Sequence, residues 1–422
     1  MKNNRTKRNR PALRSAAAAL LIAGSIGLCL PEAVFAAKTE TQRYLQTLPA
    51  AAADQKLKLY SSHAGDGLDG NGKKMYDFLK GKILKVASGE LTSTQFVIPV
   101  KGFLDKLKYS EKELGVTFYD AHTQALMSKE KQSRMLNRFM EEKIISNDGL
   151  QQLFSSILAD FPYELYWYDK AAEGSFEITM SGARIQKQGS RGASLSMDQA
   201  VLTFSFLVSN AYGSKYQTDP DKMETARTAV ANAERIVREA DGLTDYQKLV
   251  YYCRKICDLT SYNKEAAEAK EPDNQNPWQM VYVFDGDAET NVVCEGYAKA
   301  FQYLCDRTTF DDLDIYSYLV TGTMTGGTGA GLHMWNLVHM GERGNYLVDV
   351  TNCDEGTAGA GGVLFLTGAA SGNVTDGYQV QVGKKSVFYQ YREDMAKIYS
   401  VEDLTLADGG RLKEERWRQG KE

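Results

Sequence analysis

The sequence predicts an α+β fold in which a cysteine-bearing helix packs on an antiparallel sheet, preceded by an accessory α+β segment. Three observations predict it. Residues 243–259 open with a capping box, Thr244 followed three positions on by Gln247, and continue as a helix. After Cys294 the apolar residues Tyr297, Ala298, Phe301, Leu304 and Cys305 recur at helical spacing. Residues 331–351 carry two strand-like runs on either side of Gly341-Glu342-Arg343-Gly344-Asn345, which is a hairpin signature.

Composition sets the outer bounds. The chain has 422 residues, 43% of them apolar and 25% charged, as in an ordinary soluble globular protein. Its 37 Gly and eight Pro are scattered, which excludes collagen-like and low-complexity readings. Residues 1–36 read as a secretory signal peptide. Lys2, Arg5, Lys7, Arg8, Arg10 and Arg14 form a basic leader, residues 16–30 an apolar stretch short for a bilayer span, and Val34-Phe35-Ala36 a cleavage site. Leu28 ahead of Cys29 is too bulky for a lipobox, so the expected product is secreted or extracytoplasmic, free or associated with the cell surface, with no membrane span after cleavage. Removing the leader takes six of the 50 cationic residues and one of the 54 acidic ones, and the acidic remainder has no field to recruit nucleic acid. The expected partner is a protein or peptide substrate, or a component of the cell envelope.

The elements follow in order. Residues 37–53 read as a helical or loose lead-in. The run Asp66-Gly67-Leu68-Asp69-Gly70-Asn71-Gly72 lacks the alternating acids and closing Glu of a calcium loop, so it reads as a turn ahead of a helix over 73–86. Residues 94–100 are strand-like, and 128–161 helical in two pieces broken near Asn147-Asp148-Gly149. Residues 163–168, 176–185 and 200–209 are rich in aromatic and β-branched residues and read as antiparallel strands. A polar linker over 210–220 precedes a helix over 221–240. The domains expected are therefore an accessory α+β domain over 37–215, a catalytic domain over 216–405 and a charged tail over 406–422. Nothing in the composition ranks substrate binding, anchoring or inhibition as the accessory domain's role.

Five cysteines follow the leader: Cys253, Cys257, Cys294, Cys305 and Cys353. An odd number in an exported protein leaves at least one thiol unpaired within the chain. Whether Cys253, Cys257, Cys305 or Cys353 form disulfides is not legible. Cys253 and Cys257 stand four apart on one helix with no second pair at ligand distance, so no metal site is expected, and the reading calls for no cofactor. Cys294 is different, because it starts a helix, where unpaired N–H groups and the helix dipole favour an anion and are available to an oxyanion.

Two of the four histidines lie in the first hairpin strand, His333 and His339. In either register that a three-residue loop allows, odd-numbered residues of the two strands share a face, so His333, Trp335, Asp349 and Thr351 project together. With residues 341–343 as the loop, Asp349 lies opposite Trp335 and diagonal to His333, roughly 7–8 Å away and within side-chain reach. A carboxylate there orients the imidazole and stabilises its charged form. His339 is a strand-length away and reads as a hairpin-end residue; Trp335 shields the imidazole or packs beneath it. The acidic loop Asp285-Gly286-Asp287-Ala288-Glu289 reads as a solvated turn.

Cysteine, histidine and aspartate in that order, within Val293-Cys294-Glu295-Gly296-Tyr297-Ala298, His333-Met334-Trp335-Asn336 and Val348-Asp349-Val350-Thr351, resemble the bacterial transglutaminase-like superfamily. The segment from Leu243-Thr244-Asp245-Tyr246 to Ser261-Tyr262-Asn263 is similar to the one that precedes the nucleophile there, and the resemblance covers residues 243–370. It implies a papain-like fold with Cys294 as nucleophile, His333 as general base and acid, and Asp349 as orienting carboxylate, acting on amide or ester carbonyls. This chain departs from the pattern at Cys353, where an aromatic often follows the Asp-Val-Thr triplet, and in the Gly-rich run over 323–331, a candidate mobile lip.

The expected activity is thus cysteine-dependent acyl transfer on peptide or glutamine-type amides through a thioester, with peptidase- or amidase-like hydrolysis ahead of cross-linking. The alternative is a catalytically silent module of the same fold that binds peptides or cell-wall components. The Cys294 N–H is one expected oxyanion donor; Trp278, Gln279 and Asn291 are unranked candidates for the second.

Overall fold

The computed structural model describes residues 64–414, apart from 121, 124, 171, 173, 190–191, 270–279, 313, 328–329, 355, 370–371 and 402–403. The leader, the lead-in over 37–53, Trp278, Gln279 and the end of the tail lie outside the described residues.

Six helices of 13 residues or more are described: α1 (Gly70–Ala87), α2 (Lys129–Lys143), α3 (Asn147–Asp160), α4 (Glu224–Glu239), α5 (Asp245–Leu259) and α6 (Cys294–Asp306). Polar caps set their starts. Ser128 and Ser146 accept the N–H groups of Lys131 and Gly149, so the break between α2 and α3 falls just ahead of Asn147-Asp148-Gly149. Thr244 and Gln247 close the capping box at α5, each side chain accepting the other residue's N–H.

The largest sheet has seven strands: β1 (Ile315–Thr325), β2 (Gly331–Met340), β3 (Asn345–Val348), β4 (Phe365–Thr367), β5 (Asn373–Val374), β6 (Gly377–Val382) and β7 (Lys385–Tyr391). They run in the order β4-β3-β2-β1-β7-β6-β5, antiparallel throughout. Both faces are covered. On β2, Val338 and Met340 join the core that holds Phe301 and Leu304 of α6, whereas Trp335 and Leu337 pack with Tyr378, Tyr389, Ile398 and Leu406. At Gly322, where β1 is flanked by both β2 and β7, an added Cβ would lie 2.0 Å from the Gln390 carbonyl, so only glycine permits that approach.

The chain ahead of α4 adds two three-stranded antiparallel sheets, one pairing Gln95–Pro99 and Phe176–Ser181 with Val201–Phe206. The 176–185 run divides at Gly182, whose φ of +76° ends the first strand before Arg184–Lys187 begins. Residues 163–168 are not a strand. They form tight buried turns, with Tyr166 N–H donating to the Tyr163 carbonyl and Tyr168 N–H to that of Leu165, because the aromatics there fill a core without any pleat to stand on. One apolar core runs from Ile83 of α1 through Phe154, Tyr163 and Trp167 to Leu249 of α5 and Phe301 of α6. The class is mixed α+β, a sheet packed against helices.

Candidate active site

Cys294 is the first residue of α6, after Val293 at the cap position. Its placement depends on a close backbone approach. Val292 is fully buried and tied by a bridge to Tyr262, with Asn263 N–H donating to the Val292 carbonyl at 3.0 Å. Gly296 turns against it, and a Cβ there would stand 2.5 Å from that of Val292. Gly296→Ala is therefore expected to lower stability by about 1–3 kcal/mol, readable as a fall in denaturant midpoint at unchanged m-value. An unchanged midpoint would show that the helix start has slack.

His333 and Asp349 come from the hairpin. Asn336 pairs Val348, Leu337 pairs Leu347 and His339 pairs Asn345, which is the register with residues 341–343 as the loop. The second strand is shorter than the expected 346–351. It stops at Val348, and Asp349 instead caps the short helix Val350–Cys353, accepting the Asn352 N–H on Oδ1 at 3.1 Å. A side chain that can bond its own backbone three residues on competes with the ladder, and here it wins. The even-numbered neighbour Asn336 is buried and donates to Gln302 of α6 and Ser317 of β1, at 3.3 and 3.4 Å, which fastens α6 to the sheet.

His333 Nε2 lies 2.8 Å from Asp349 Oδ2, with both side chains buried. That oxygen also accepts the Tyr389 hydroxyl at 2.6 Å and Asn352 Nδ2 at 2.8 Å. Burial alone would lower the His333 imidazole, but the charge and hydrogen bond of Asp349, with a further hydrogen bond and charge from Cys294, raise it to about 10. Burial would likewise raise the Asp349 carboxyl, yet His333, Tyr389 and Asn352 hold it below its ordinary value.

No protein-family model matches the chain, and no curated protein does. Solved structures similar to parts of it include the following two. One is described as a TGase (TM-score 0.25, 12% identity, 43% of this chain and 52% of that one). The other is a candidate cysteine protease from Cytophaga hutchinsonii (TM-score 0.22, 12% identity, 42% of this chain and 64% of that one). The chain thus spans between half and two thirds of the length of these two.

Trp335 packs beneath the pair. Its ring is 6.0 Å from that of His333 at an interplanar angle of 22° and 5.1 Å from that of Tyr389, and its Nε1 donates to the Tyr378 hydroxyl. His339 sits at the hairpin end, bonded to Asn345 at 2.9 Å and stacked on Tyr316. Of the second-donor candidates, Asn291 is described, and its side-chain oxygen accepts the Ser261 N–H at 3.1 Å. Asp285 likewise serves its own turn, accepting from Asp287 N–H and the Thr290 hydroxyl. Among the described residues no group of three His, Cys, Asp or Glu could hold a metal ion, and no helix is long and apolar enough to cross a membrane.

Sequence reasoning missed four contributors. Asn352, three residues after Asp349, carried a local capping signal. Tyr389, on β7, carried none. Tyr262 lies beside the thiol: burial first, then the charges of Cys294 and Asp349, push its phenol up to about 12. Lys170, from the accessory segment, pairs with Glu295, the residue after Cys294, which also binds Lys299 at 2.8 Å. Burial would raise the Glu295 carboxyl, but those two cations hold it at about 2. The acid next to the thiol is thereby neutralised.

Proposed function

We propose that the chain is an exported, cysteine-dependent acyl-transfer enzyme of transglutaminase-like type, acting on peptide or glutamine-type amides by hydrolysis ahead of cross-linking. The observation that carries this reading is the buried hydrogen bond between His333 and Asp349, with Cys294 at the start of α6 among the groups that raise the same imidazole. Nε2 is taken by Asp349, which leaves Nδ1 as the ring nitrogen for the thiol. With the imidazole raised to about 10, His333 holds its proton across the neutral range and sets a cation beside the sulfur.

In this reading the Cys294 thiolate attacks the amide carbonyl, and first-turn N–H groups of α6 hold the oxyanion. His333 then gives its proton to the leaving amine, and a thioester remains. Water resolves it to an acid; a lysine amine would give an isopeptide. Trp335 and Tyr389 act on the imidazole rather than on substrate, filling the space beneath it so that the ring keeps one orientation.

The test is to incubate the purified protein with a glutamine-containing peptide and a fluorescent primary amine. Ammonia release or peptide cleavage that is lost in Cys294→Ala supports hydrolysis, and amine incorporation lost in the same variant supports cross-linking. Neither product, together with equal and slow iodoacetamide labelling of all thiols, would make the protein a binding module.

A further inference from the structure

Three thiols outside the candidate active site converge at one place. Cys253 and Cys257 lie on α5, which packs against the short helix Val350–Cys353. Cys257 donates to the Val350 carbonyl at 3.7 Å, and Cys353 packs against the apolar core that contains Cys253. The thiols of Cys257 and Cys353 both lie close enough to that of Cys253 to act on its ionisation. All three are free thiols here; Cys253 is buried, whereas Cys257 and Cys353 are partly accessible.

We propose that Cys253 and Cys353 are a disulfide-forming pair that, under oxidising conditions, ties α5 to the helix capped by Asp349. Geometry selects this pair. Cys253 and Cys257 stand one turn apart on a rigid helix, where Cβ atoms are about 5–6 Å apart and lean the same way, whereas a disulfide needs about 3.5–4.5 Å. Cys353 comes from another element and approaches Cys253 from outside the helix. Cys305 is buried on α6, and Cys294 is engaged with His333, so pairing Cys253 with Cys353 leaves the candidate nucleophile reduced.

The chemistry is exchange with a small disulfide such as oxidised glutathione. The accessible Cys353 thiolate attacks one glutathione sulfur, breaks its S–S bond and expels a glutathione thiolate. Cys253 then attacks Cys353 Sγ of the mixed disulfide and expels the second. Two protein thiols are oxidised, one glutathione disulfide is reduced to two thiols, and the two protons pass to the expelled thiolates.

The test is intact-mass analysis and a non-reducing peptide map of the purified full chain after exposure to oxidised glutathione. Two fewer titratable thiols beyond any glutathione adduct at Cys294, a linked peptide pair holding Cys253 and Cys353, and persistence of that pair in Cys257→Ser are the expected results. Loss of the link in Cys353→Ser is expected as well. A full set of free thiols after exposure overturns the proposal, and so does a link that joins Cys253 to Cys257. The map reads sulfur connectivity and not the reactivity of Cys294, so this proposal and the acyl-transfer reading fail separately.

Discussion

Replacing His333 by alanine is expected to slow iodoacetamide alkylation of Cys294 at pH 6 by about tenfold or more, with the labelling of Cys257 unchanged. An imidazolium beside the sulfur stabilises its anion, and His333, raised to about 10 by Asp349 and Cys294 against the opposing effect of burial, carries its proton at pH 6. Without it the thiol loses that adjacent cation, and ordinary cysteines are under about 1% ionised at pH 6. A more basic thiolate is intrinsically more nucleophilic, which returns part of the loss, so the ratio narrows as pH rises towards 8. The variant leaves the buried Asp349 charge with only the donors of Tyr389 and Asn352, so its stability should fall, and a thermal melt run beside the labelling shows that it is still folded. Mass-resolved labelling of each cysteine at several pH values checks the prediction; a Cys294 rate that is the same in both proteins at pH 6 would sink it.

How far the site could be read beforehand depends on what each residue's position rests on. The start of α6 and the hairpin register follow from local rules, helical spacing after Cys294 and a three-residue loop, so Cys294 and His333 fall on their elements without tertiary knowledge, whereas Asp349 falls just beyond its strand. The bounds of α5 followed from its capping box for the same reason. The last residues of the hairpin did not follow the pattern, because an Asp followed by Asn three positions on can satisfy the backbone as a cap as well as a strand can, and only packing decides. Tyr389 reaches Asp349 across 40 residues, through β7 pairing with β1, which no local signal encodes. Lys170 reaches Glu295 from 125 residues away, out of a segment whose aromatic content resembled strands but which folded as turns. What local chemistry determines was legible; what strand order and the shared core determine was not.

Asp349→Asn carries the second large expectation, in both rate and stability. Four donor contacts converge on this carboxylate, three of them on Oδ2, and an amide offers an N–H₂ where one oxygen stood. A donor then faces donors in a buried site, and His333 loses the charge that outweighs its burial. Breaking a buried pair by removing one partner costs about 3–5 kcal/mol, and exchanging an orienting aspartate for asparagine lowers turnover by up to about 10⁴-fold where an imidazole depends on it. The pH dependence separates a charge effect from simple damage. His333 is raised in the folded protein, so its contribution is complete below the unfolded value near 6.5 and is lost as pH climbs towards about 10. Asp349 is lowered, so its contribution holds above its unfolded value and disappears as pH falls through the acid range. The wild-type Tm should therefore decline between pH 6.5 and 10, and that part of the decline should vanish in Asp349→Asn. Tyr389→Phe, which removes one donor but keeps the charge, should retain the alkaline slope and lose far less activity. Parallel Tm–pH curves for the wild type and Asp349→Asn would mean that the pair is not coupled as its geometry implies.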